Sequence, residues 1–147
     1  MIVRFAQEKD LENIFEAYKD YEGDNLKKLD AILNKGVVER NIRIMLENKS
    51  IIIAEIEGKV IGGMAGQFIP CLFTNDIMFC SMLFFVHPNK RKHTVPFIRE
   101  IEKLLKGTRA TRFVVATPAT MDGKMDRFYS LLGFQPLEKH FYKVIGS

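Results

Sequence analysis

The chain has 147 residues, 47% of them hydrophobic, with 22 basic against 18 acidic side chains and a net charge of +4. That length suits one compact domain with a sizeable core. The mild, dispersed positive charge does not by itself argue for a nucleic-acid binder, the two cysteines give no disulfide framework or metal spacing, and no run of apolar residues is long enough to cross a membrane.

Ile2 to Phe5 is a short apolar run suited to a first strand, and Lys9 to Tyr18 then sets Leu11, Ile14, Phe15 and Tyr18 on one helical face. Asp24 can cap a second helix from Asn25 to Asn34, which Gly36 ends. Val37 to Glu47 repeats the helical spacing through Val38, Ile42, Met45 and Leu46. From Ser50 the period becomes two, and IIIAEIEGKVIGGMAGQFI reads as a hairpin turning at Glu57, Gly58 and Lys59. Gly62, Gly63 and Gly66 in its second arm predict a bulge or a close approach by a backbone or a ligand.

After a loop from Pro70 to Asn75, Asp76 to Val86 predicts a long strand, apolar on both faces and therefore central. Phe97 to Leu105 is an amphipathic helix, and Arg112 to Ala116 a buried strand running parallel to the one that ends at Val86. Met121 to Leu132 predicts a last helix, and the tail from Phe134 to Ile145 one or two final strands.

Met78 to Leu105 organises this order. An apolar strand ends in the basic turn HPNKRKHTVP and opens a helix, which is a way of building an anion site from free backbone N–H groups and the positive end of a helix dipole. Lys90, Arg91, Lys92 and His93 add side-chain charge there, and a second basic cluster runs from Lys103 to Arg112.

Two motifs carry a family resemblance. VHPNKRKHTVPF, Val86 to Phe97, is similar to the Val-x-Pro…Arg-x-x-Gly-x-Gly/Ala signature of the Gcn5-related N-acetyltransferases (GNAT), and RFYSLLGF, Arg127 to Phe134, resembles their Leu/Phe-Tyr-x-x-x-Gly-Phe signature. The order of elements resembles GNAT over nearly the whole chain. The resemblance implies an α/β fold in one domain over residues 1–147: a mixed, mostly antiparallel sheet of about six to seven strands with a splayed parallel pair, flanked by about four to five helices.

It also implies acetyl-CoA as cosubstrate, no metal, and a primary amine, on a small molecule or a protein, as acceptor by direct attack. Phe84, Phe85 and Val86 then offer backbone to the pantetheine arm, with Phe113 to Ala116 opposite. Arg91, Lys92, His93, Thr94, Val95, Pro96 and Phe97 form the pyrophosphate turn, and Asp122 stands where many members carry an asparagine that meets CoA. Tyr129 is the acid that protonates the departing thiol.

Thr94 and Pro96 occupy positions where the signature has glycine and glycine or alanine. Glycine lets a backbone approach phosphate, whereas Pro96 has no N–H to donate. In this loosened loop the chain is most similar to phage-type members. A proline at the first helical position still permits the helix. No general base is visible, because the family's glutamates fall at Cys80 and Thr117. Asp76 and Glu55 remain as groups that can take an amine proton through water, His87 reads as a strand-end histidine, and the aromatic loop Phe68 to Phe73 as a wall of the acceptor pocket.

The rival reading is a catalytically inactive GNAT-fold binding or structural protein, possible in a phage. Nucleic acid is not expected as a partner, since aromatics do not interleave with the basic clusters. Cys71 and Cys80 are expected to be buried free thiols in a cytoplasmic protein without a signal segment, and the resemblance leaves a monomer or a homodimer open.

Overall fold

The computed structural model describes residues 1–17, 34–117 and 123–146. The chain divides into two compact units, Met1–Ala116 and Thr117–Ser147. In the first, β1 (Ile2–Phe5) leads through a 3-10 turn (Glu8–Asp10) into α1 (residues 11–17). Then come α2 (Lys35–Glu47), β2 (Ile51–Ile56), β3 (Lys59–Pro70) and β4 (Ile77–Val86). A second 3-10 segment (Pro88–His93) enters α3 (Thr94–Lys106), and β5 (Arg112–Val114) follows. The second unit holds α4 (Lys124–Leu131).

The sheet runs β1-β2-β3-β4-β5, with antiparallel neighbours except for the parallel pair β4 and β5. Strand alternation lets β2 serve both faces. Ile52 and Ala54 join Met64 and Phe79 under Phe97, Ile101 and Leu105 of α3, while Ile51 and Ile53 meet Leu11 of α1 and Ile42 and Leu46 of α2. Each large apolar side chain so buried stabilises the fold by about 1.5–3 kcal/mol. The predicted helical stripes are therefore the ones that close the two cores.

Several expectations change. The middle strand of the five is β3, and β4 is interior beside it, paired with β3 on one side and over three residues with β5 on the other. α2 begins at Lys35, where the Asn34 side chain accepts a hydrogen bond from the Val37 N–H at 3.2 Å, so Gly36 lies inside this helix and terminates nothing. The helix predicted over Asn25 to Asn34 otherwise lies outside the described residues. Residues 134–146 form no strand, leaving five strands among the described residues. Phe141, Val144 and Ile145 stay exposed, so the tail's apolar positions do not gather into the buried face a strand would need. Cys71 and Cys80 are free thiols but half-buried, the first in the loop after β3 and the second on β4.

The hairpin turn is formed by Glu57 and Gly58, both at positive φ (52° and 76°), the geometry a two-residue turn needs to match strand twist. Gly62 and Gly66 are required by a neighbouring backbone. A Cβ on Gly62 would stand 2.9 Å from the Phe85 carbonyl oxygen, and one on Gly66 would stand 2.7 Å from that of Cys80 and 2.6 Å from the Phe79 ring. Gly66→Ala is expected to destabilise the protein by about 1–3 kcal/mol through overpacking, read as a lower denaturation midpoint; an unchanged midpoint would show that β3 and β4 can separate at no cost.

β1 is pinned by charge. Arg4 grips Asp10 with both terminal nitrogens, at 2.7 and 2.9 Å, and reaches Glu55 on β2 at 3.2 Å, while the Gln7 N–H also donates to Asp10. Asp10 is 4% exposed, and Arg4 holds its carboxyl below the usual carboxylate range. A pKa lower in the folded than in the unfolded chain adds stability that is fully present above about pH 4 and disappears as pH falls through the folded value. Asp10→Ala should cost about 2–3 kcal/mol at neutral pH and flatten the acid limb of a stability–pH curve; an acid limb identical to the parent's would exclude this pair as its source.

Candidate active site

The parallel pair is rooted at one end and open at the other. Met78, Phe79 and Cys80 pair with Arg112, Phe113 and Val114, and there the ladder ends. One residue on, the Ala116 N–H donates to the Ser81 hydroxyl oxygen at 3.0 Å. On the other side of β4 the register steps from Ala65 opposite Leu83 to Gly66 opposite Ser81, so Met82 is the extra residue of a bulge. β5 is shorter than its predicted span: its ladder stops at Val114, and past it the Ala116 N–H meets a side chain.

Asp76 clasps the root. Its carboxylate accepts from the hydroxyls of Thr74 (2.7 Å) and Thr111 (2.9 Å) and from Nε and Nη2 of Arg112 (3.2 Å each), and the Thr111 N–H donates to the Ile77 carbonyl. These donors lower its pKa, with Thr74 contributing most. Asp76 is therefore a strand clasp at the far end of β4 from the basic turn. Glu55, the other carboxylate considered for proton removal, is bound to Arg4.

At the open end, β4 delivers the chain to the basic turn. The Lys90 N–H donates to the His87 carbonyl, the Asn89 N–H to His87 Nδ1, and the Thr94 N–H to the Arg91 carbonyl. This winding continues into α3, which starts three residues before the predicted Phe97, so Pro96 is the third helical residue. The helix accommodates it because N–H groups of the first turn have no intrahelical acceptor. Two backbone donors are thereby unavailable to an anion, Thr94's because it is bonded and Pro96's because it does not exist. Charge comes from side chains: Arg91 and Lys92 are exposed and His93 half-buried, and among the described residues none of them is in an ion pair. In the second basic cluster, Lys103, Lys106 and Arg112 pair with Glu100, Glu102 and Asp76.

Side chains near the opening divide between its two faces. Phe84 packs on Phe97 with ring centroids 5.7 Å apart, and Val86 joins the same cluster, so the side chains of these three are taken up in the core beneath α3. Val95 is half-buried and Asp122 lies outside the described residues. Phe85 faces the other way and lines two adjoining spaces. One is an apolar cavity of about 170 Å³ bounded by Ile14, Ile42, Met45 and Met82 among others; the second is a polar cleft of about 350 Å³ bounded by Asn13, Glu16, Lys59 and His87.

Sequence reasoning missed Asn13, Glu16 and Lys59. No motif links α1 to the hairpin turn, and only packing sets them in one cleft with His87. In the loop expected to wall an acceptor pocket, Phe68 packs against Phe79 at 5.1 Å beneath Arg109, and Phe73 is 89% exposed.

In the second unit, Tyr129 is buried between the rings of Phe128 and Phe134, each 5.3 Å away, and its carbonyl accepts the Phe134 N–H after the chain turns at Gly133 (φ 89°). Burial pushes its phenol up to about 12.

No protein-family model and no curated protein matches the chain by sequence. Solved structures do match. AAC(6')-Iy, in complex with the bisubstrate analogue CoA-S-monomethyl-acetylneamine, superposes with a TM-score of 0.76 at 13% identity, covering 99% of this chain and 98% of its own. An aminoglycoside acetyltransferase from an uncultured soil metagenomic sample, in complex with sisomicin, gives 0.73 at 15% identity over 99% and 96%. A transcriptional regulator from Bacillus halodurans C-125 gives 0.75 at 19% over 98% and 99%. The fold is that of the Gcn5-related N-acetyltransferases. Identities this low establish the GNAT fold alone, with the rooted, splayed pair expected from the resemblance.

If the clasp holds the GNAT cleft's root, Asp76→Ala should speed amide hydrogen exchange at residues 112–114 while β2 and β3 keep their protection. The same change should appear in the parent as acid protonates Asp76, because its depressed pKa keeps the clasp charged at all higher pH. Equal exchange in parent and variant would show the clasp to be idle.

Proposed function

We propose that this protein is an N-acetyltransferase that moves an acetyl group from acetyl-CoA to a primary amine by direct attack. The observation that carries the reading is the parallel pair β4 and β5, tied at Asp76 and open beyond Ser81 toward a basic turn. Such an opening leaves the backbone groups of Phe84 and Val86, which point away from β3, to hold an extended arm, while those of Phe85 pair with Gly63; the cations at Arg91, Lys92 and His93 suit a pyrophosphate. Acetyl-CoA supplies the acyl thioester. The amine nitrogen bonds to the acyl carbon, the carbon–sulfur bond breaks, the amine proton passes to water in the cleft lined by Glu16 and His87, and the thiolate takes up a proton. Most of the rate then comes from positioning.

Tyr129 donates a hydrogen bond to the departing sulfur. A phenol near 12 stays protonated through the neutral and mildly alkaline range, and its hydrogen bond stabilises the thiolate as charge develops on it. Its pKa lies well above the about 8.5 of an ordinary thiol, so solvent completes the protonation. The molecules bound to two structural neighbours, a CoA bisubstrate analogue and, in an aminoglycoside acetyltransferase, sisomicin, support an amine acceptor.

A second reading, a binding protein without turnover, is favoured by the bonded Thr94 N–H and by Pro96. Millimolar acetyl-CoA is expected to raise the melting temperature, since a ligand that prefers the native state stabilises it; no shift would sink the enzyme reading. With binding in hand, thiol release across a panel of amines separates the two readings. Tyr129→Phe should lower kcat by about 100-fold with little change in acetyl-CoA affinity, and the parent's kcat should show no loss from tyrosine ionisation near pH 10; an undiminished kcat in the variant would remove Tyr129 from the reaction.

A further inference from the structure

Ser81 is the residue at which β4 parts from β5. The last backbone pair is Cys80 with Val114, the Ala116 N–H just past β5 is met by Ser81 Oγ at 3.0 Å, and the following residue, Met82, is already the bulge and 61% exposed. One small side chain, itself 8% exposed, thus bridges the strands at the bottom of their opening.

The bridge is not free to sink. Phe79, two residues earlier, is fully buried and fills the core beneath it, and across β3 the partner of Ser81 is Gly66, where even a Cβ would collide with Phe79 and the Cys80 carbonyl. Tight packing behind a surface that faces an opening makes a stiff floor. A serine held by a backbone N–H has its rotamer chosen for it.

We propose that Ser81 is the floor of the acyl end of the cleft and restricts the donor to a short acyl group, acetyl in preference to butyryl. This rests on the reading of the cleft as an acyl-CoA site. With the pyrophosphate at the basic turn beyond Val86, the acyl end points down β4 toward Ser81, five residues or about 16 Å away at 3.3 Å per residue. Butyryl carries two more methylenes than acetyl and would have to displace the Ser81 bridge to enter.

The test is calorimetric titration of the full chain with CoA, acetyl-CoA and butyryl-CoA, needing no acceptor, on the parent, Ser81→Ala and Ser81→Thr, each first checked by melting. In the parent, acetyl-CoA should bind more tightly than butyryl-CoA. Ser81→Ala removes the bridge, so the affinity for butyryl-CoA relative to acetyl-CoA should rise about fourfold per methylene admitted, about fifteenfold in all, while free CoA binds as before. Ser81→Thr keeps a hydroxyl and adds bulk, and should retain the exclusion of butyryl-CoA while weakening acetyl-CoA.

A relative affinity that is the same in all three proteins overturns the proposal, as does a variant that weakens CoA and both thioesters alike, which is the mark of a purely structural role. If Ser81→Ala does not fold, Ser81→Thr decides: acetyl-CoA bound with parental affinity overturns the floor, and selective weakening supports it. Absence of binding by any of the three ligands to the parent overturns the acyl-CoA reading itself, whereas binding with indifference to chain length overturns only the role of Ser81.

Discussion

The structure depends on a parallel strand pair that is made firmly over three residues and then abandoned. β4 and β5 share backbone hydrogen bonds from Met78 to Cys80 and are locked below that by Asp76, whose carboxylate serves two threonines and an arginine. Above it a bulge at Met82 turns β4 away while β5 continues toward Ala116. An unpaired backbone group inside a protein is costly, so a sheet that stops pairing partway needs a reason and a device. The device here is Ser81, which satisfies one donor just past β5 with a side chain. The freed donors and acceptors beyond it are what an extended ligand arm can use.

The same trade between backbone and side chain recurs at the basic turn. A glycine-rich loop presents N–H groups to an anion at little conformational cost. In this chain the turn is wound by its own hydrogen bonds into α3, and proline removes another donor. What remains is a run of cations on flexible stems. Side-chain charge of this kind is more sensitive to salt than backbone donation from a rigid nest, and under the proposed function it is Arg91 whose guanidinium keeps its charge and its forked geometry.

Much of this was legible in the residues. The periods of two and of 3.6 located β2, β3, β4 and α3, and the apolar positions of α2 turned inward as read. The parallel sense of β5 followed from its place after a crossover helix. The glycines of β3 announced a close approach, and the neighbour proved to be the β4 backbone at Phe85 and Cys80. β4, apolar on both faces, is interior, and that property reflects two covering layers and not its rank in the sheet. Errors came where a local pattern had more than one long-range use. The tail from Phe134 had strand-like residues but no buried face to join, and the cysteines' sulfur says nothing of the depth at which a chain places it.

The sequence by itself determined the strand and helix periods, the hairpin turn, the basic turn before α3 and the aromatic setting of Tyr129, because each rests on spacing within one stretch of chain. Only the tertiary structure decided that Asp76 ties Thr74, Thr111 and Arg112 together, that Asn13, Glu16, Lys59 and His87 share a cleft, that the turn bonds to itself, and that the Ser81 hydroxyl meets the Ala116 N–H. Those facts join residues distant in the chain, as Asp76 with Arg112 and Asn13 with His87, or depend on which of several available donors a group meets, and such choices are settled by packing rather than by propensity.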